Sequence, residues 1–234
     1  MAIKSEWVTV VNAEQPFPAY LALPAGPARG GVVVIQEIFG VNSHIRSVAD
    51  RTAEAGYVAL APDLFWRVKP HIELGYTPDD IAKGREFRGK LKDDETVKDI
   101  EATSKVLASR PEMAGKKWGV MGFCYGGLQT YLTAARLKPA AASVYYGGGI
   151  ANYLGEADHI KCPILFHFGE IDKGIPMDQV DKIKAAMASK ADATVHVYPG
   201  ADHGFHCDQR GSYNEGSAKI AWGRTVEFFH QHLG

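Results

Sequence analysis

The sequence predicts an α/β fold with a mostly parallel central sheet and helices on both faces. From about residue 30 onward, short apolar runs alternate with segments of helical periodicity, the pattern of repeated strand and helix units. The 234 residues can bury a large core with a cleft beside it, and they contain no internal repeat, low-complexity tract or linker. We therefore predict a single domain over residues 1–234, with ligand chemistry at the carboxyl ends of its strands.

The individual elements follow from the periodicity along the chain. The extended segments WVTVVNA and YLALP predict an N-terminal hairpin, and the Pro- and Gly-rich LPAGPARGG predicts the turn into the main sheet. Six further strands are predicted in GVVVIQ, YVALAPDL, KWGVMG, AASVYYG, PILFHFG and ATVHVYP. Helices are predicted in HIRSVADRTAEAG, a polar region from about 78 to 108, YGGLQTYLTAAR, MDQVDKIKAAMAS and the final stretch ending VEFFHQHL.

The charge balance and the lack of long apolar runs narrow the classes of partner. Lys plus Arg number 26 and Asp plus Glu number 27, for a formal charge of −1, which gives no electrostatic reason to expect nucleic acid or an anionic membrane. The start MAIKSEWVTV lacks the apolar core of a signal peptide, and VVVI and YVALA are too short to span a bilayer. We predict a cytoplasmic protein, a monomer or small homo-oligomer, whose partner is a small molecule.

The three cysteines indicate a reducing compartment. Cys124, Cys162 and Cys207 are too few and too widely spaced for a disulfide framework or for paired zinc loops. At least one thiol is therefore expected to be free. The segment HGFHC places His203, His206 and Cys207 close together, but it lacks a second ligand group at a defined spacing, so we predict no metal site there.

The segment GVMGFCYGG makes Cys124 the first candidate for a catalytic residue. Gly122 and Gly126 flank it as in the G-x-S-x-G nucleophile elbow, with sulfur in place of the serine oxygen. A strained turn from strand to helix leaves no room for side chains at the flanking positions. The positive N-terminal end of the helix that follows Cys124 favours a thiolate, and the N–H of Tyr125 is placed to bind an oxyanion. A buried structural cysteine in a glycine-rich turn is the alternative.

An acid and a histidine follow in the order that the α/β-hydrolase fold uses. Asp172 lies just after the apolar strand in HFGEIDKGIP, and His203 follows the next strand in PGADHGF. A weak nucleophile needs an adjacent base, and the base needs a carboxylate to orient it. Each residue alone could be an ordinary loop residue or cap. Agreement in type, position and order favours a triad of Cys124, Asp172 and His203.

These segments together resemble the dienelactone hydrolases, or carboxymethylenebutenolidases, an α/β-hydrolase family that uses cysteine as its nucleophile. The resemblance runs nearly end to end through QEIFG, GFCYGG, VYYG, GEIDKGIP and PGADHGF. It implies attack of the Cys124 thiolate on a small lactone or enol ester, a thioester intermediate, and hydrolysis by water that His203 activates. No metal or organic cofactor takes part in the reaction that the resemblance implies. Such chemistry would suit the catabolism of aromatic compounds.

The resemblance also gives a role to QEIFG, at 36–40. In the family the glutamate that matches Glu37 contacts the resting cysteine, and the N–H that matches Ile38 is the second oxyanion donor. A carboxylate beside a thiol disfavours the thiolate, which would protect Cys124 until substrate binds. From the residues alone, Glu37 could equally be an ordinary polar residue at a strand end.

Substrate recognition is where the sequence departs from the family. Family members that hydrolyse dienelactone hold its carboxylate with two arginines, one before the elbow and one four residues after the catalytic histidine. Arg85 and Arg88, one helical turn apart, are candidates for the first, although a solvated helix face is the alternative. The second position is Cys207, with Arg210 three residues later. Tyr146 is a candidate for the pocket wall or for core packing.

Two other functions therefore stay open. A carboxylesterase acting on uncharged small esters would fit the loss of the second arginine. A catalytically silent relative could bind a ligand or sense oxidants through Cys124 and Cys207, although an intact triad argues against it.

Overall fold

The computed structural model describes residues 2–234, whose contacts divide into two compact units. The first contains residues up to 119 together with 233–234, and the second contains residues 120–232. The prediction of a single domain over 1–234 stays a prediction. None of the helices over residues 2–234 has the length and apolar character needed to cross a membrane.

The first unit is built on the predicted hairpin and two buried strands. β1 (Lys4–Val10) pairs antiparallel with β2 (Phe17–Leu23), and β2 pairs antiparallel with β4 (Tyr57–Pro62). β3 (Gly30–Ile35) runs parallel to β4. Every residue of β3 and β4 is buried, which explains why they are continuous apolar runs rather than alternating ones.

Three helices complete the first unit: α1 (Ser43–Glu54), α2 (Pro78–Gly89) and α3 (Asp93–Ser109). The polar region predicted as one helical segment from 78 to 108 is thus two helices. A capping box between Thr77 and Asp80 starts α2. The helix ends at Gly89, and α3 begins with three acidic residues, which suit the positive end of a helix dipole.

The second unit contains four strands in the order β5, β6, β7, β8, and each neighbouring pair is parallel. They are β5 (Trp118–Phe123), whose first residues belong to the first unit, β6 (Ala142–Tyr145), β7 (Ile164–Gly169) and β8 (Ala193–Tyr198). The helices are α4 (Tyr125–Arg136), α5 (Met177–Met187) and α6 (Glu215–Leu233). A 3₁₀ helix over Ile150–His159 was not predicted. Chemistry-bearing residues follow β5, β7 and β8, at the predicted carboxyl ends.

A buried histidine ties α6 to the strands of the second unit. His167 on β7 is fully buried, with Nδ1 2.8 Å from the Tyr198 hydroxyl and Nε2 3.0 Å from Oγ1 of Thr225 on α6. Burial is the main reason that its pKa lies well below the ordinary value, and the charges of His196 and Arg224 lower it further. His167 is therefore neutral in the folded protein.

This pKa predicts a loss of stability in acid. Below the unfolded pKa, about 6.5, the unfolded chain binds a proton at His167 that the folded chain does not bind. The free energy of unfolding should then fall by about 1.4 kcal/mol per pH unit from this residue. In urea titrations, His167→Gln should reduce the fall in the free energy of unfolding between pH 6.5 and 5. His159→Gln, at an exposed position, should leave that fall unchanged. An unchanged slope in His167→Gln would contradict this assignment.

Candidate active site

Cys124 lies on a sharp turn between β5 and α4. Its backbone has φ 55° and ψ −114°, a conformation that non-glycine residues rarely adopt. Its N–H donates to the carbonyl oxygen of Tyr145 at 3.0 Å, and its carbonyl accepts from the N–H of Gly127 at 2.9 Å. The turn is therefore held on both sides, as the elbow motif predicts. The N–H of Tyr125 lies in the first turn of α4, at the positive end of that helix.

Close backbone packing explains two glycines beside the elbow, whereas the steric reason for Gly126 stays a prediction. A Cβ on Gly122 would lie 2.2 Å from the carbonyl oxygen of Gly126 and 2.6 Å from Oγ1 of Thr130. A Cβ on Gly127 would lie 2.5 Å from the carbonyl oxygen of Tyr145. Neither contact leaves room for a side chain, which gives the predicted steric reason for Gly122 and adds a second one at Gly127.

Asp172 follows β7, and its carboxylate is buried and fully oriented. Oδ1 accepts the N–H groups of Gly174 at 2.8 Å and Ile175 at 3.1 Å, while Oδ2 lies 2.7 Å from Nδ1 of His203. The side chain is only 1% exposed. Because one oxygen is held by its own loop, the other points at the histidine. Asp172 is thus placed as the orienting acid of a triad.

His203 is hydrogen-bonded to Asp172, and the side chain of Cys124 is close enough to raise the pKa of its imidazole. Burial alone would lower its pKa, but the Cys124 charge, the hydrogen bonds with Asp172 and Cys124 and the Asp172 charge together raise the pKa well above the ordinary value. With Nδ1 facing Asp172, the Nε2 side of the ring is the one available to the thiol. This arrangement lets His203 take a proton from Cys124.

Two side chains that sequence analysis missed hold the backbone of His203. Its N–H donates to Oδ1 of Asp202 at 2.6 Å, and its carbonyl accepts the hydroxyl of Ser212 at 2.7 Å. Asp202 could have been suspected, because Asp side chains often bind the N–H groups that follow them. Nothing in the sequence points to Ser212, since its contact depends on the path of the intervening loop.

Tyr146 lies directly against His203 rather than on an open wall. Its ring centroid is 5.2 Å from that of His203, at an interplanar angle of 62°, and its side chain is fully buried. His206, the other histidine of HGFHC, packs among the rings of Phe123, Tyr145 and Trp222. Tyr146 therefore packs against one side of the His203 ring, and His206 belongs to a neighbouring aromatic cluster.

The residues after His203 bring the Arg210 side chain over Gly204. Cys207, at the family's arginine position, is fully buried. The Arg210 side chain turns back over Gly204, where a Cβ would lie 2.4 Å from Nη1. Gly204 has φ 77°, a conformation that also favours glycine. The loop therefore carries a guanidinium next to the residue that follows His203.

The remaining candidates lie in the first unit. Glu37 is buried directly after β3, and its carbonyl accepts Nε2 of Gln36 at 3.3 Å. A Cβ on Gly84 of α2 would lie 2.4 Å from the carbonyl oxygen of Ile38, so this helix packs tightly on the Glu37–Ile38 segment. The described contacts do not test the roles of Glu37 and Ile38 as a cysteine partner and an oxyanion donor.

The two candidate arginines of α2 differ in their surroundings. Arg85 is exposed and follows Gly84. Arg88 donates to the carbonyl of Leu91 at 3.0 Å and to Oδ1 of Asp93 at 2.6 Å, just beyond the end of the helix. Arg88 therefore stabilises the turn between α2 and α3, and Arg85 is the better candidate for binding an anion.

The chain matches known proteins over almost its whole length. The model of the dienelactone hydrolase family matches residues 17–233. A protein of Synechocystis sp., provisionally named a carboxymethylenebutenolidase, is 39% identical over 99% of this chain and 98% of its own. A protein of Azospirillum brasilense with the same provisional name is 36% identical over 93% of this chain and 94% of its own.

A solved structure extends the match to the fold. A Klebsiella pneumoniae protein, provisionally named a dienelactone hydrolase, is 33% identical and has a TM-score of 0.87, covering 99% of this chain and 100% of its own. The predicted fold class, a mostly parallel α/β-hydrolase fold, is confirmed. On its family match, its fold and its relatives, the chain belongs to the dienelactone hydrolase family and is a hydrolase.

Proposed function

We propose that the protein hydrolyses a small lactone or enol ester through a thioester on Cys124. The observation that carries this proposal is the 2.7 Å contact of His203 Nδ1 with Asp172 Oδ2, together with the elbow position of Cys124, whose side chain is close enough to raise the pKa of the same histidine. A thiol at an elbow, a base beside it and an oriented acid are the three parts that nucleophilic acyl transfer requires.

The first half of the reaction forms the thioester. His203 takes the thiol proton, and the sulfur of Cys124 attacks the carbonyl carbon. The N–H of Tyr125 stabilises the charge on the carbonyl oxygen. The ester C–O bond then breaks, the acyl group stays on sulfur, and the oxygen of the alcohol or enol takes the proton from His203, which leaves the imidazole neutral again.

The second half hydrolyses the thioester. His203 removes a proton from water, the resulting hydroxide attacks the thioester carbon, and the C–S bond breaks. Cys124 recovers its proton and the product leaves as a carboxylic acid. The N–H of Ile38 as second oxyanion donor, and Glu37 as the group that protects the resting thiol, stay predictions from the family resemblance. A cytoplasmic location, a role in aromatic catabolism and the oligomeric state stay predictions as well.

A substrate panel tests this function. We expect p-nitrophenyl esters of short acids, or cis- and trans-dienelactone, to be hydrolysed with a burst of product in the first turnover if deacylation is the slower step. A pure binding or thiol-sensing protein would hydrolyse none of them. Absence of turnover on the whole panel would therefore count against the proposal and favour that alternative.

The carboxylesterase alternative stays open because the buried Cys207 stands where family members carry the second arginine. A variant of Arg210 distinguishes the two substrate classes. A guanidinium that binds a substrate carboxylate contributes about 1.5 to 3 kcal/mol. Because Arg210 lies over Gly204 beside His203, we expect Arg210→Ala to raise KM for dienelactone roughly tenfold or more. KM for a neutral p-nitrophenyl ester should change less than about twofold.

Two further arginine variants complete this test. If α2 supplies the first arginine of the family, Arg85→Ala should also raise KM for dienelactone more than KM for the neutral ester. Arg88→Ala is the matched control, because its guanidinium is bound to Leu91 and Asp93, and it should affect both substrates alike. If Arg210→Ala also affects both substrates equally, Arg210 is not an anion partner and the neutral-ester reading is preferred.

A further inference from the structure

We propose that Tyr146 is a positioning residue that fixes the His203 imidazole relative to the Cys124 elbow. The inference rests on the proposed function, because it assigns to Tyr146 a role in the same triad. It differs from the sequence prediction, in which Tyr146 lines the substrate pocket or the core.

One peptide group connects Tyr146 to the nucleophile. The carbonyl of Tyr145 accepts the N–H of Cys124 at 3.0 Å, and the N–H of Tyr146, in the same peptide, donates to the carbonyl of His167 at 2.8 Å. The peptide is thus held by the elbow on one side and by β7 on the other. The backbone of Tyr146 therefore has a fixed position relative to Cys124.

The backbone of Tyr146 adopts a conformation that a side chain disfavours. Its φ is 35°, in the left-handed region, whereas the three residues that follow it are glycines. A glycine at this position would remove the strain. A strained residue that carries a large buried side chain is typical of a functional site, where the surroundings impose the conformation.

The ring of Tyr146 connects this fixed backbone to the His203 side chain. It packs edge-to-face on His203, with centroids 5.2 Å apart, and on Phe205, with centroids 5.4 Å apart. The hydrogen bond from His203 Nδ1 to Asp172 fixes one atom of the imidazole but leaves rotation about that bond. An aromatic contact opposes this rotation, so the nitrogen opposite Asp172 stays directed at the thiol.

Three substitutions test the role. Tyr146→Leu removes the ring but keeps the Cβ, so the backbone strain is unchanged. Tyr146→Phe keeps the ring. Phe166→Leu is the matched control. Phe166 is a fully buried aromatic residue of the same unit, and its ring packs on the rings of Tyr131 and Phe168. The measurements are kcat, KM, the pH profile of kcat/KM and urea unfolding.

We expect Tyr146→Leu to lower kcat about 10- to 100-fold, the loss typical of a displaced catalytic group, with KM changed less than about threefold and the pH profile displaced. Tyr146→Phe should restore kcat to within about threefold of the original. Phe166→Leu should lose stability without these changes. Equal kinetics for Tyr146→Leu and Phe166→Leu would overturn the positioning role, and so would a loss in Tyr146→Phe as large as that in Tyr146→Leu.

Cys124→Ala, measured beside these variants, separates the two proposals. If it is inactive while Tyr146→Leu behaves like Phe166→Leu, only the role of Tyr146 fails. If Cys124→Ala keeps its turnover, the proposed function fails, and the role of Tyr146 fails with it.

Discussion

Cys124→Ala is expected to abolish turnover while the protein stays folded. Loss of a nucleophile from a complete triad lowers kcat by on the order of 10⁴-fold or more. The side chain is small and half-buried, so its removal should leave far-UV circular dichroism unchanged. Hydrolysis of a p-nitrophenyl ester and the circular dichroism spectrum should be recorded on the same preparation.

Cys162→Ala is the matched control for this substitution. Cys162 is also half-buried, and burial raises the pKa of its thiol to about 11, which leaves it a poor nucleophile at neutral pH. The control should keep the full rate. If Cys124→Ala kept the rate as well, hydrolysis would not proceed through the elbow thiol.

Asp172→Asn and His203→Ala are expected to cause losses that do not multiply. Asparagine would turn an amide N–H toward Nδ1 of His203, which favours the wrong tautomer and in a comparable triad costs about 10⁴-fold in kcat. Once His203 is absent, Asp172 has no base to orient, so the double variant should be no slower than His203→Ala.

The second prediction is checked with kcat values for both single variants and the double variant. Urea unfolding of each is the control, because Oδ1 of Asp172 also holds the loop at Gly174 and Ile175. A double variant whose loss equals the product of the single losses would show that Asp172 and His203 act independently and are not a triad pair.

The candidate triad could be proposed from the sequence because its residues follow strands of one parallel sheet. Cys124 directly follows β5, Asp172 lies three residues beyond β7, and His203 lies five residues beyond β8. Parallel strands bring their carboxyl ends to the same edge. Their order and residue types then limited the chemistry to a few reactions. β5 and β7 were readable because buried parallel strands are continuous apolar runs.

Contacts that depend on the path of a loop could not be predicted in this way. Ser212 binds the carbonyl of His203 across nine residues, and Arg210 turns back over Gly204. Tyr146 was recognised as a candidate, but its contact with His203 follows from a left-handed backbone that sequence patterns do not reveal. The distinction between pocket wall and positioning residue therefore needed the structure.

The helical region before the elbow shows a second limit. A polar sequence from 78 to 108 has few apolar positions to mark a period, so the break between α2 and α3 was missed. The break depends on Arg88, which binds Leu91 and Asp93 after the helix ends. The 3₁₀ helix over Ile150–His159 was missed because short 3₁₀ segments leave no clear periodic signal.

Trapping the covalent intermediate tests the proposed mechanism most directly. The enzyme is mixed with excess p-nitrophenyl ester, quenched in acid during the burst, digested, and analysed by mass spectrometry. We predict one acyl group per chain, attached to the peptide that contains Cys124 and absent from Cys124→Ala. A burst without this adduct, or an adduct on Cys162 or Cys207 instead, would contradict the thioester mechanism.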